Sequence, residues 1–215
     1  MAEKLATEAG QKLFEATKAK WTSLKGRIAT HSLGYFPLYG PPIENPSLLI
    51  VSDQPGAGAH VTADQLTPDS WPDALSYIDS AGRFAGVLKQ IVEPDILKRS
   101  VATAAIVFRA KSLEQWKRAG DASVIRDAEE FSADQVRRLA LALRPRMILT
   151  SGGKSKAVFL DASAFSGVDY VQGSWRNIPI LACKHLSGQH NHSIRQPAVI
   201  ATLKTIVDRS TGEPN

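Results

Sequence analysis

Three short stretches carry residues able to do chemistry, and they lie far apart in the chain. SDQPGAGAH puts a carboxylate, Asp53, and an amide, Gln54, directly after an apolar run; Pro55 and the spaced glycines Gly56 and Gly58 follow, and His60 closes the stretch. TSGGKS supplies Gly152, Gly153 and Lys154, and CKHLSGQHNHS gathers His185, His190 and His192 around Ser187, Gln189 and Ser193. A carboxylate or an oriented amide can steady a positive charge or aim a water, and an imidazole can hydrogen-bond a group that becomes negative. Glycines let a ligand come close to main-chain donors. Plainer readings exist for each stretch. Asp and Gly are common in any strand-to-helix turn, Lys154 can be a solvated helix start, and His60 an exposed loop histidine. GGKS has the tail of a nucleotide P-loop, but Ile148 stands where the leading glycine must be. The histidines resemble zinc donors in type, yet their spacing matches no standard site and the one nearby thiol is Cys183.

Composition bounds the class of molecule. A chain of 215 residues, 43% hydrophobic and 22% charged, suits one globular domain with a sizeable core. Its formal charge of +5 is a mild bias toward polyanionic partners. A single cysteine excludes an internal disulfide framework and any all-cysteine metal site, and fits a reducing compartment. The start MAEKLATEAGQK lacks the apolar core of a secretory signal, and no run is long and apolar enough for a membrane span. The expected setting is cytoplasmic, with no membrane partner.

The elements that must position the three stretches follow from periodicity. Residues 1–30 read as an amphipathic helix, with Leu5, Leu13, Ala16 and Leu24 on one side, expected as an appendage to a domain over 31–210 and a tail at 211–215. The Pro- and Gly-rich stretch from His31 to Pro46 predicts a shaped loop. Leu48–Ser52, Val101–Phe108, Met147–Thr150 and Ile178–Ala182 read as buried strands. Helices are predicted where Phe84, Val87, Leu88, Ile91 and Val92 share a face, from Ser132 (with Gln135 at capping-box spacing) to Pro145, over Lys154–Leu160 and over Gln196–Asp208. Alternating strands and helices predict an α/β fold: three layers, α/β/α, around a central four-stranded parallel sheet. The ligand site of such a sheet lies beyond the carboxyl ends of its strands, where all three stretches fall.

Together the stretches resemble the uracil-DNA glycosylase superfamily. Ser52, Asp53, Gln54, Pro55 and Gly56 are similar to its first motif; LALRPRMILTSGGKSKAVFL resembles its helix, strand and glycine turn; and His185, Leu186 and Ser187 match its closing His-Pro-Ser. The order holds from about Pro37 to Asp208, closest to the bacterial iron-sulfur branch, although the cluster's four thiolates are missing here. The resemblance implies a uracil-DNA glycosylase-like fold and a monomeric hydrolase that needs no cofactor or metal, cutting the N-glycosidic bond of a damaged or deaminated base flipped out of single- or double-stranded DNA. It assigns Asp53, helped or replaced by Gln54, to the positive sugar, and His185 to the departing base. It implies substrate contacts from Pro55, Gly56, His60, Phe84 and Ala105, and DNA contacts from Gly152, Gly153, Lys154, Ser187, Gln189, Ile194 and Arg195. Phe36 and Tyr35 are further candidates for stacking on a base, whereas Trp71 and Trp175 read as packing residues.

The sequence departs from the family at Gln54, where much of the superfamily has Asp or Asn, at Ala105, near its uracil-reading Asn, and at Leu186, where it has Pro. These departures motivate an alternative, a catalytically inactive module that binds nucleic acid or nucleotides. A metal-dependent hydrolase built on the histidines is a third.

Overall fold

In the computed structural model, which describes residues 2–29, 34–56, 67–161, 165, 168–188 and 192–212, the apolar runs lie side by side as one sheet. Strands β2 (Leu48–Ser52), β3 (Val101–Ala104), β5 (Met147–Ser151) and β7 (Ile178–Cys183) are mutually parallel in the order β3-β2-β5-β7. Their register brings Ser52, Ala104, Ser151 and Cys183 level at one edge. The strands therefore deliver Asp53, Gly152 and Lys184 to the same rim.

Side chains alternate across this sheet, as the two-residue repeat of a strand requires. Leu49, Val51, Val101, Ile148, Ile180 and Ala182 face one core. There α1 (Ala2–Leu24), α5 (Ala122–Leu143) and α6 (Gly153–Phe159) contribute Leu13, Phe14, Trp21, Val136, Leu139, Val158 and Phe159. Leu48, Ile50, Ala102, Met147, Leu149, Leu181 and Cys183 face the other, covered by α2 (Arg83–Ile91), α3 (Pro94–Lys98) and α7 (Pro197–Thr211) through Leu88, Ile91, Leu97, Leu203 and Val207. Helices thus flank both faces of a mixed α/β fold.

Four expectations need correction. The sheet has five strands, because β6 (Tyr170–Trp175) pairs antiparallel with β7 as an edge. Arg176 and Asn177 turn the chain with φ of 50° and 67°, the backbone of a tight two-residue hairpin. Most of β6 is exposed or half-exposed, so it carries no apolar run. The run Val101–Phe108 is not one strand: β3 ends at Ala104, and Phe108–Arg109 form β4, which pairs antiparallel with β1 (Gly34–Tyr35) in a separate ribbon. Between them the Ala105 and Ile106 amides donate to the carbonyls of Ser52 and Asp53.

The helix predicted from Ser132 begins ten residues earlier, at Ala122. Ser132 is not a cap; it is buried within α5, and its hydroxyl donates to the Ala128 carbonyl. Finally, α1 is part of the body. Leu13, Phe14, Trp21 and Leu24 are buried in the same core as the sheet, while Leu5, expected on that face, is 55% exposed. A short helix α4 (Leu113–Lys117) sets Trp116 beneath β4, its ring stacked on Phe108. No described helix is long and apolar enough to cross a membrane.

Candidate functional site at the strand ends

The exit of β2 is built around one carboxylate. Asp53 is 8% exposed, and its Oδ1 accepts the Ser155 amide at 2.8 Å, so it caps the first turn of α6 from across the sheet. Gly152 makes this possible. Its backbone lies at φ +115°, and an added Cβ would come within 2.2–2.4 Å of the Asp53 carboxylate atoms. The glycine is needed because a side chain of the protein itself presses on its Cα. The Gly152 amide also donates to the Cys183 carbonyl at 2.9 Å, tying the exits of β5 and β7 together.

Burial raises the Asp53 carboxyl above its ordinary value; the Ser155 amide and the nearby His185 oppose that rise. Asp53 and His185, distant in sequence, thus come near enough for the imidazole to act on the carboxyl. Cys183, buried behind them with its thiol donating to the Thr150 carbonyl at 3.2 Å, is pushed up to about 12, first by burial and then by Asp53. It is a neutral thiol, unsuited to nucleophilic work.

His185 is half-buried just beyond β7 and is oriented by its own loop. Its Nδ1 lies 2.8 Å from Ser187 Oγ and accepts the Ser187 amide at 3.3 Å. An amide N–H can only donate, so Nδ1 is the accepting nitrogen and the ring proton belongs on Nε2. The next amide, of Leu186, donates to Ser151 Oγ at 3.0 Å. Asp169 brackets the loop, with Oδ1 accepting Lys184 Nζ at 2.9 Å and Ser193 Oγ at 2.6 Å. Those two bonds hold the Asp169 carboxyl below the usual carboxylate range.

A ladder of rings runs along the rim to the imidazole. Phe84 lies 5.8 Å from the His185 ring and 4.9 Å from Tyr77. Tyr77 stacks on Tyr39 at 5.1 Å, Tyr39 meets Phe36 edge-on at 5.0 Å, and the Arg109 guanidinium covers Phe36 at 4.6 Å. Such spacings are those of favourable aromatic and cation–π contacts. Burial raises the phenols of Tyr39 and Tyr77 and lowers Arg109. The phenols remain neutral, so this wall is apolar in body with hydroxyl tips. Sequence reasoning found Phe84 and Phe36 but missed Tyr39, Tyr77 and Arg109. Arg109 had a signal, a lone cation closing an apolar run, whereas Tyr77 had none.

The other expected residues divide. Gln54 is half-buried at the rim, its Nε2 donating to the Phe108 carbonyl at 3.1 Å. Pro55 is buried beside it, and Gly56 is exposed, with no described residue other than its chain neighbours within 4 Å of where a Cβ would sit. Several contacts are corrected. Ala105 is 3% exposed and belongs to the core, and Ile194 is 0% exposed in the opposite core, so neither reaches a ligand as an exposed residue. The turn at Gly152 and Gly153 is occupied by Asp53, which takes the Ser155 donor that a phosphate would need. Lys154 pairs with Glu129 at 2.6 Å, in a partly buried bridge that also receives the Trp116 indole through Glu129 Oε1. Ser187 is engaged by His185, and Arg195 is exposed. His60, Gly58, Gln189 and His190 lie outside the described residues. Trp71 and Trp175 pack on Phe14 and Phe159. Among the described residues, no group of His, Cys, Asp and Glu is placed to hold a metal ion. No protein-family model and no curated protein matches the chain.

Proposed function

We propose that this chain is a DNA-base glycosylase with a uracil-DNA glycosylase-like fold, acting as a monomer on a base extruded from DNA. The observation that supports it best is the pairing of a buried acid at the exit of β2 with an oriented imidazole at the exit of β7, beside a ladder of aromatic rings. Leaving of a base makes the sugar positive and the base negative. Asp53, when ionised, steadies the sugar, and the His185 Nε2 proton hydrogen-bonds the departing base. Phe84, half-buried at the end of the ladder, gives the base a face to stack on. Gln54 is anchored at the same rim by its bond to the Phe108 carbonyl.

A second reading has its own support. Asp53 already accepts a main-chain bond and packs on Gly152, as a purely structural cap would. In that case the chain binds nucleic acid without cutting it. Duplex and single-stranded oligonucleotides carrying uracil, hypoxanthine, xanthine or oxidised bases, incubated with the protein and then treated with alkali, separate the two. Strand scission at one of these bases is the expected result. Salt-dependent binding with no scission on any of them selects the second reading.

A further inference from the structure

The edge strand β6 brings one residue against the histidine loop. The β6–β7 ladder pairs Tyr170 with Cys183 and runs one bond further, where the Lys184 amide donates to the Asp169 carbonyl at 2.9 Å. Asp169 therefore stands opposite Lys184, the residue just before His185. Its carboxylate reaches the far side of the loop as well, because Oδ1 accepts both Lys184 Nζ at 2.9 Å and Ser193 Oγ at 2.6 Å. One oxygen thus bonds residues on either side of His185.

Between β7 and α7 the chain runs from 184 to 196, and among the described residues its regular structure is the single turn His192–Arg195. Ordering so long a connection costs chain entropy, so contacts must hold it. Leu186 and Ile194 bury their side chains in the core beneath the loop. Burial is non-directional: it holds the loop down without choosing how its polar groups point. Hydrogen bonds choose. The Lys184 and Asp169 side chains are only 19% and 23% exposed, so solvent screens their bridge less than a surface pair, and bonds to an ionised carboxylate are the strong ones. Ser187, which engages the imidazole through Nδ1, lies inside the segment that Asp169 closes.

We infer that Asp169 is the positioning residue of His185: by latching Lys184 and Ser193 to one oxygen, it sets where the imidazole stands beside Phe84. The consequence for turnover rests on the glycosylase reading, whereas the placement of the ring does not. On this view the edge strand serves the site by delivering the latch.

Phe84, 5.8 Å from the imidazole, makes the placement measurable, since its ring current shifts the His185 ring protons according to where they lie relative to it. The test records those ring-proton signals in the full chain, identified by their loss in His185→Gln. In Asp169→Ala they should move toward the values of free histidine, while methyl signals of Val51 and Leu149, in the two cores, stay in place. Asp169→Asn keeps an oxygen that can accept both bonds and should restore most of the parent pattern. Ser193→Ala removes one of the two bonds and should move the signals the same way by less. Ring signals unmoved in Asp169→Ala overturn the inference; if that variant fails to fold, unmoved signals in Ser193→Ala overturn it. A second arm uses whichever of the uracil, hypoxanthine, xanthine and oxidised-base oligonucleotides the parent cuts. There kcat of Asp169→Ala should fall about tenfold or more with KM little changed, since small displacements of a reacting group can cost up to about a hundredfold. Parent-like kcat in a variant whose ring signals have moved overturns the role in turnover. If the parent cuts none of these bases and the ring signals still move as stated, the positioning stands and the glycosylase reading alone falls.

Discussion

The exits of β2 and β7 hold their reactive groups by opposite means. Asp53 is fixed by contacts from afar: the amide it accepts is 102 positions away, and the glycine that makes room for it belongs to the same distant turn. His185 is fixed from nearby, by a serine two positions on. The acid is therefore part of the scaffold, so disturbing it disturbs the sheet and α6 together. The imidazole rides on a loop, where losing it should alter chemistry more than folding. Carboxylate and imidazole stand at the same rim, yet their structural commitments differ.

Gly152→Ala should give the largest effect on this contrast. The new methyl would meet the Asp53 carboxylate, and φ of +115° is a region that side chains rarely adopt. A loss of about 3 kcal/mol or more is expected in denaturant unfolding. Placed in an Asp53→Ala background, the same change should cost clearly less, because the clash is gone and the backbone strain remains. Equal costs in both backgrounds would mean that Asp53 and Gly152 do not lock the exits of β2 and β5 together as described.

His185→Ala sharpens the other side. Under the glycosylase proposal, turnover should fall by about a hundredfold or more, while stability should change by no more than about 1 kcal/mol. A large drop in stability with activity nearly intact would reverse the contrast between scaffold acid and working imidazole.

The smallest effect concerns pH. Burial raises the folded-state pKa of Asp53 above the ordinary 3.8, so its contribution to stability is fully present below that value and is lost as pH climbs through the raised one. Asn cannot ionise and keeps an oxygen for the Ser155 amide. Asp53→Asn should therefore gain on the parent between about pH 3 and neutrality, by a modest margin in thermal melts. A gap that shrinks over that range would show that the ionised carboxylate is the better cap.

Much of the framework was legible because burial writes itself into composition. The four parallel strands are apolar on both faces and end in polar, glycine-rich turns, and helices α2 and α7 repeat apolar residues at three and four. The misreadings have particular causes. Ser132 and Gln135 imitate a cap, but Val124, Ile125 and Ala128 already carry the same helical face upstream, so packing overrides the local motif. The run Val101–Phe108 reports burial faithfully without reporting that the chain bends after Ala104 to bond the exit of β2. Strand β6 pairs through its backbone at a mostly exposed edge, which leaves little mark on side-chain choice.

At the candidate site the division falls elsewhere. The sequence alone determined that an acid, an amide, a glycine pair and a histidine stand at the ends of buried strands, since the apolar runs force those ends to one rim. Which way each polar group turns was decided only by tertiary structure. Asp53 faces α6, Lys154 pairs with Glu129, Ile194 turns into the core, and Tyr39 and Tyr77 join Phe84 into a wall. The physical reason is that a hydrogen bond or a ring contact is chosen by neighbours in space, and here most of those neighbours come from other parts of the chain.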